Sequence, residues 1–144
     1  MIPTTRNSAV HANTPAAQAA DSDLASIKQA ALDYIEGYYD GDAERMERAV
    51  HPDLAKRVVR LDPSSNSMRL AHMSALGLIQ ATRARSGSRT PNHDRSKDVT
   101  VLDRLGNSAS VKVEAKDWID YLHLAKCDGH WAIVNVLWEM KPGR

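Results

Sequence analysis

The strongest constraint on the fold is a pair of long alternating stretches near the C-terminus. Trp118 to Lys126 and Trp131 to Met140 flank Asp128-Gly129. That dipeptide tolerates the positive φ that both central positions of a two-residue hairpin turn require. Successive strand residues point to opposite faces. One face of the hairpin therefore carries Trp118, Asp120, Leu122 and Leu124, with Ala132, Val134, Val136 and Trp138 opposite. The other carries Ile119, Tyr121, His123, Trp131, Ile133, Asn135 and Leu137. Both faces are largely apolar, so both are expected to be covered. In a chain of 144 residues the helices can cover only one face well. The outer one is expected to meet a second copy of the chain through a two-fold axis.

Helical periodicity dominates the N-terminal half. Leu24, Ile27, Ala31, Tyr34, Ile35 and Tyr38 recur at three- and four-residue steps, after capping residues in Asp21-Ser22-Asp23 and before a stop at Asp40-Gly41. Asp42 is placed to cap a short second helix that ends at His51-Pro52, since the residue before proline avoids helical geometry. Ala55 to Leu61 then suits a strand, Asp62-Pro63-Ser64-Ser65-Asn66 a turn, and Met68, Leu70 and His72 a short edge strand. Ser74 caps a third helix, and the turn-rich residues 83–98 form a loop. Val99 and Val101 open one further strand, and Val111, Val113 and Ala115 alternate along the next. Helices followed by an antiparallel meander predict an α+β domain over residues 23–141. Residues 1–22, rich in Ala, Thr, Asn and Pro without period, are expected to be a disordered tail. Lacking the apolar centre of an export signal, that tail favours the cytoplasm over an exported location.

Composition excludes several classes. Nineteen basic against eighteen acidic residues leave a formal charge of +1, without general pull towards nucleic acid or acidic membrane. Arg83, Arg85, Arg89, Arg95 and Lys97 are interrupted by acidic residues and lack interleaved aromatics, so a solvated loop suits them better than a nucleic-acid surface. The single Cys127 cannot make an internal disulfide. None of the six histidines stands in HxH, HxxxH or HExxH spacing, so neither a metal nor another cofactor is expected. No apolar run has the roughly 20 residues of a membrane helix.

Several segments carry a resemblance. Tyr34-Ile35-Glu36-Gly37, Gly41-Asp42, His51-Pro52-Asp53, Asp120-Tyr121-Leu122-His123-Leu124 and Asp128-Gly129-His130-Trp131-Ala132-Ile133-Val134-Asn135 resemble the putative lumazine-binding branch of the nuclear transport factor 2-like superfamily. The resemblance implies a curved antiparallel sheet wrapped around about three N-terminal helices as a cone with an internal cavity, usually in a dimer. Such sequences often carry lysine after Val134-Asn135, where this chain has Val136. The same stretches are similar to ketosteroid isomerase. That similarity implies an oxyanion role for Tyr34, a protonated acid at Asp120, a pocket wall at Trp138 and, if three extra residues are accommodated, a general base at Asp62.

On one strand face with Trp118 and Leu122, the Asp120 carboxyl is expected to point into an apolar interior, where burial raises a carboxyl pKa. It either donates a proton to a ligand oxygen, or it accepts from a backbone turn or pairs with an arginine. Tyr34 and Tyr38 lie one helical turn apart and need polar partners, which a ligand, a carbonyl or Asp120 could supply. His51 and His72 are further candidate bases, imidazole being the side chain suited to proton transfer at neutral pH. The candidate catalytic residues are Asp120, Tyr34, His51 and Asp62. The candidate ligand-binding residues are Tyr34, Tyr38, Asp120, Leu122, Val134, Val136 and Trp138. The expected function is binding of a small apolar or aromatic molecule. The alternatives are an acid–base enzyme of isomerase, cyclase or dehydratase type acting on a carbonyl compound, and a noncatalytic dimeric assembly module.

Overall fold

A computed structural model of the chain describes residues 14–144. Three helices precede or interrupt a six-stranded sheet: α1 (Pro15–Asp40), α2 (Ala43–Ala49), β1 (Val50–Asp62), β2 (Ser67–Ser74), α3 (Ala75–Arg83), β3 (Asp98–Leu105), β4 (Ser108–Glu114), β5 (Trp118–Cys127) and β6 (His130–Met140). The strand order is β2-β1-β6-β5-β4-β3. The pairs β1-β2, β3-β4, β4-β5 and β5-β6 are antiparallel, as expected, but β1 runs parallel to β6, so the curved sheet is mixed. Helix α1 packs across β3, β4 and β6, and α3 across β1 and β2. The architecture is α+β.

The α1 stripe buries Ile27, Ala30, Ala31, Tyr34, Ile35 and Tyr39 against Val111, Val113, Leu122, Leu124 and Ile133 of the sheet. Each large aliphatic side chain removed from water there stabilises by roughly 1.5–3 kcal/mol. Gly41, at φ 66°, ends the helix and donates its N–H to the Gly37 and Tyr38 carbonyls. The helix starts eight residues before Asp23. Thr14 accepts from the Ala17 N–H, Pro15 occupies the first turn, and alanines follow. Proline is favoured at a helix start and alanine within it, so the tail expected over residues 1–22 loses its last eight residues to α1. Its first thirteen lie outside the described residues.

Asp128 and Gly129, at φ 50° and 77°, form the hairpin turn between β5 and β6. A bulge changes the faces of that hairpin. His123 pairs with Asn135 but Leu124 pairs with Ile133, leaving Val134 without an opposite residue. An extra residue reverses which side the chain beyond it presents. Trp131 and Ile133 are consequently buried inside the sheet, whereas Asn135, Leu137 and Tyr121 lie on its outer face. The expectation that Trp131 and Ile133 face outward is corrected accordingly. No described helix is long and apolar enough to cross a membrane.

Candidate functional site

Asp120, the one buried carboxylate among the described residues, sits against the C-terminal half of α1. Tyr34 and Tyr38 come from successive turns of that helix, Trp118 and Asp120 from alternate positions of β5, and Trp138 from β6, directly opposite Asp120. The parallel pairing sets Lys56 of β1 beside Val136 and Val58 beside Trp138, which brings a lysine into the same group. With Ile35, Asp117 and Met140 these side chains line a cavity of about 210 Å³. A second cavity of about 290 Å³ shares Tyr38, Lys56 and Trp138 and extends between α3, β1 and β2.

One hydrogen-bonded chain runs through the first lobe. The Lys56 Nζ donates to the Tyr34 hydroxyl at 2.6 Å, and that hydroxyl donates to Asp120 Oδ1 at 3.1 Å. Trp118 Nε1 donates to Asp120 Oδ2 at 2.8 Å. Both carboxyl oxygens thus accept, and the Tyr34 phenol is engaged in both directions. The ammonium of Lys56 lies 5.0, 5.6 and 5.8 Å from the ring centres of Tyr34, Trp138 and Tyr38. Aromatic faces attract a cation at such distances.

Burial drives the electrostatics. It raises the Asp120 pKa, against the opposing pull of the Lys56 charge and the bonds from Trp118 and Tyr34. It lowers that of Lys56, against the Asp120 charge. The Tyr34 phenol is held well above its ordinary value by burial and then by the neighbouring Asp120 charge. Tyr38 is raised for the same two reasons. These phenols stay protonated near neutrality, and Tyr34 acts as the link between amine and carboxyl.

The structure brings together four of the residues expected at the site: Tyr34, Tyr38, Asp120 and Trp138. Asp120 makes its bonds to Tyr34 and Trp118, instead of the backbone turn or arginine left open above. Leu122 and Val136 face inward but are consumed by the core. Val134 leaves the cavity wall because the bulge turns it towards the outer surface of β5 and β6. His51 lines a separate cavity of about 490 Å³ beside α2 and α3, and its Nδ1 accepts from the Asp53 N–H. Asp62 closes the turn between β1 and β2, where it accepts from Ser64 and pairs with Arg69 at 2.7 Å. At 3.3 Å per residue it stands about 20 Å along β1 from Lys56. Neither proposed base reaches Asp120. His72 does border the second lobe.

Lys56 is the residue sequence reasoning missed. It stands in phase with Leu54 and Val58, but so does Arg60, and Arg57 lies beside it, so alternation alone does not single it out. Lys56 stands in register with Val136 of β6. Among the described residues, no three His, Cys, Asp or Glu side chains converge as a metal site.

The model of a protein family described as putative lumazine-binding matches residues 22–139. Among solved structures, the chain is similar to an NTF2-like protein of unknown function from Silicibacter pomeroyi, at 16% identity and a TM-score of 0.66, over 85% of this chain and 98% of that one. A second NTF2-like protein of unknown function, from Shewanella baltica, gives 18% identity and 0.62, over 85% and 97%. An NTF2-like protein with a cystatin-like fold from Novosphingobium aromaticivorans gives 13% and 0.59, over 92% and 94%. No curated protein sequence matches. Identities this low establish the fold and leave the chemistry of the cavity to its own residues.

Proposed function

The chain belongs to the family described as putative lumazine-binding, and on that footing we propose that it is a small-molecule-binding domain with its site at the Lys56–Tyr34–Asp120–Trp118 chain. The observation that carries this role is the placement of that buried polar chain on the wall of an otherwise aromatic and aliphatic cavity. Ligand sites are commonly apolar hollows with a few fixed polar groups. A buried charged pair is seldom the most stabilising choice for an interior, since apolar replacements of equal volume do as well or better. Its presence here therefore favours a recognition role. The first lobe is smaller than the roughly 300 Å³ usual for ligand sites, but with the adjoining lobe it exceeds that size. This favours binding over an assembly module with a filled interior.

Acid–base catalysis draws less support. Asp120 spends both oxygens as an acceptor, and Asp62 and His51 lie elsewhere, so the titratable groups lining the lobe with it are Lys56, the phenols of Tyr34 and Tyr38, and Asp117. Native mass spectrometry of protein purified from its own host tests the binding role. A retained small molecule, released on denaturation and lost in Trp138→Ala, is the expected result. An empty protein whose melting temperature no compound in a diverse library raises would end it.

We also infer that the outer sheet face meets a second copy of the chain. Tyr121 opposes Leu137 there, and Leu70 opposes Val59. Tyr121, Leu137 and Leu70 are all exposed, and exposed apolar side chains on one sheet face, rimmed by polar ones, commonly mark an interface. Sedimentation should give a dimer at micromolar concentration, and Leu137→Glu a monomer. A native protein sedimenting as a monomer would refute the interface.

A further inference from the structure

Lys56 has hydrogen-bonding capacity that the protein does not use. An ammonium carries three donors, and one is given to Tyr34. The other two have no protein partner among the described residues, while the hydroxyl of Tyr34 and the indole N–H of Trp118 are both committed to Asp120. Of the groups in that chain, only Lys56 can still donate to a ligand. It also stands where the two lobes join.

The second lobe has a one-signed lining. Its charged side chains are Lys56 and Arg60, with His72 the only other titratable group apart from Tyr38, and no carboxylate borders it. Apart from Ser86 the rest of its wall is apolar, including Val58, Ala71, Met73, Leu78 and Ala81. A cationic ligand is disfavoured because the ammonium of Lys56 already fills the space among Tyr34, Tyr38 and Trp138. A wholly apolar ligand would leave the two spare donors of that ammonium unpaired once water was displaced, at a cost in affinity. An oxyanion satisfies them with charge-assisted bonds. It would touch Lys56 directly, whereas Asp120, the nearest negative charge of the chain, stands beyond the Tyr34 hydroxyl.

Resting on the binding role proposed above, we infer that the ligand is an amphiphilic monocarboxylate, with its carboxylate on Lys56 Nζ and its apolar body in the lobe between α3, β1 and β2. Arg60 is four residues from Lys56 on the same strand, about 13 Å away along the backbone. Arg60 is exposed, where solvent screens its charge, and contributes only general attraction.

Decanoate and decanamide are the probes: they share a chain and differ in charge. Calorimetric titration of the native protein should give decanoate an affinity about tenfold above that of decanamide, the size of a charge-assisted bond over a neutral one. Lys56→Met and Lys56→Gln should bring the two ligands to parity while decanamide still binds. Arg60→Gln should leave the ratio within about threefold of the native value. Equal affinities in the native protein would overturn the inference and leave the cavity's binding role standing. A preference that survives both Lys56 variants, or that vanishes in Arg60→Gln, would overturn the assignment to Lys56. Failure of decanoate to bind would also overturn it, and the wider role would then be decided by the native mass measurement; decanoate binding where decanamide shows none supports it. Should the Lys56 variants fail to fold, the native ratio and Arg60→Gln still decide.

Discussion

Lys56 and Asp120 shape each other's titration through one phenol. The raised pKa of Asp120 means that its ionisation opposes folding: the stability it contributes is complete below its ordinary value of 3.8 and is lost as pH rises through the higher folded value. Lys56 has the opposite sign. Its folded pKa lies below 10.5, so its contribution is complete above that value and is lost as pH falls through the folded one. Each is held nearer its ordinary value by the charge of the other. Lys56→Met removes the strongest influence opposing burial at Asp120, so the Asp120 pKa should climb further. Carbon-13 titration of its carboxyl checks this, and an unchanged or lower value would contradict the coupling. The same substitution should cost about 1–3 kcal/mol at neutral pH, measured by urea unfolding, because a buried carboxylate loses part of its compensation. Asp120 was legible in the sequence because its strand partners are Trp118 and Leu122. Lys56 was not, because a single lysine among Arg57 and Arg60 reads as an exposed face until the neighbours of β1 are known.

At the scale of elements, a loop positions one wall of the site. Residues 84–97 cross the end of α1, where Ser88 donates to the Tyr39 carbonyl, Arg95 to the Ser88 carbonyl and Tyr39 to the Ser96 carbonyl. At the crossing, Gly87 lies so close to Tyr38 that an added Cβ would sit 2.3 Å from its carbonyl oxygen and 2.5 Å from its ring. Gly87→Ala must therefore displace the loop or Tyr38, which lines both lobes. It should destabilise by about 1–3 kcal/mol, the range of core overpacking, as read from a urea melt. A melt identical to the native one would show that the crossing is loose. The β6 bulge is the second device. Deleting Val134 would leave Trp131 and Ile133 in phase with Val136 and Trp138, because the spacing from Ile133 to Val136 becomes two, and would remove only the bulge and its added twist. The deletion should therefore fold with native-like tryptophan fluorescence, as should Val134→Ala. An unfolded deletion would contradict this reading. Strand existence and the Asp128-Gly129 turn could be read from alternation and turn chemistry. The bulge could not, because Val134 is as apolar as its neighbours.

For the whole molecule, exposed ion pairs set the response to acid. Asp23 is held below its ordinary value by the hydrogen bonds of Trp131 and Lys126, Asp94 by Lys116 and Glu114 by Lys141. A lowered carboxyl pKa contributes stability above the ordinary value and loses it as pH falls through the folded one. These three act against Asp120, so the urea midpoint should fall between pH 5 and pH 3, and Asp23→Asn should make the fall shallower. A midpoint constant over that interval would contradict the assignment. Asp23 also ties α1 to β3, β5 and β6 through Arg104, Lys126 and Trp131, a junction invisible in a sequence that offers Asp23 as a helix cap. By itself the sequence determined the α+β class, the order of elements, most of their limits and the inward direction of Asp120. These depend on periods of two and 3.6 residues, caps and turn residues, which act over a few neighbours. Only the tertiary structure decided that β1 lies parallel to β6, that Val134 is bulged and that Lys56 joins Tyr34 and Asp120. Pairing across the sheet depends on which distant segments meet, and no local period encodes that.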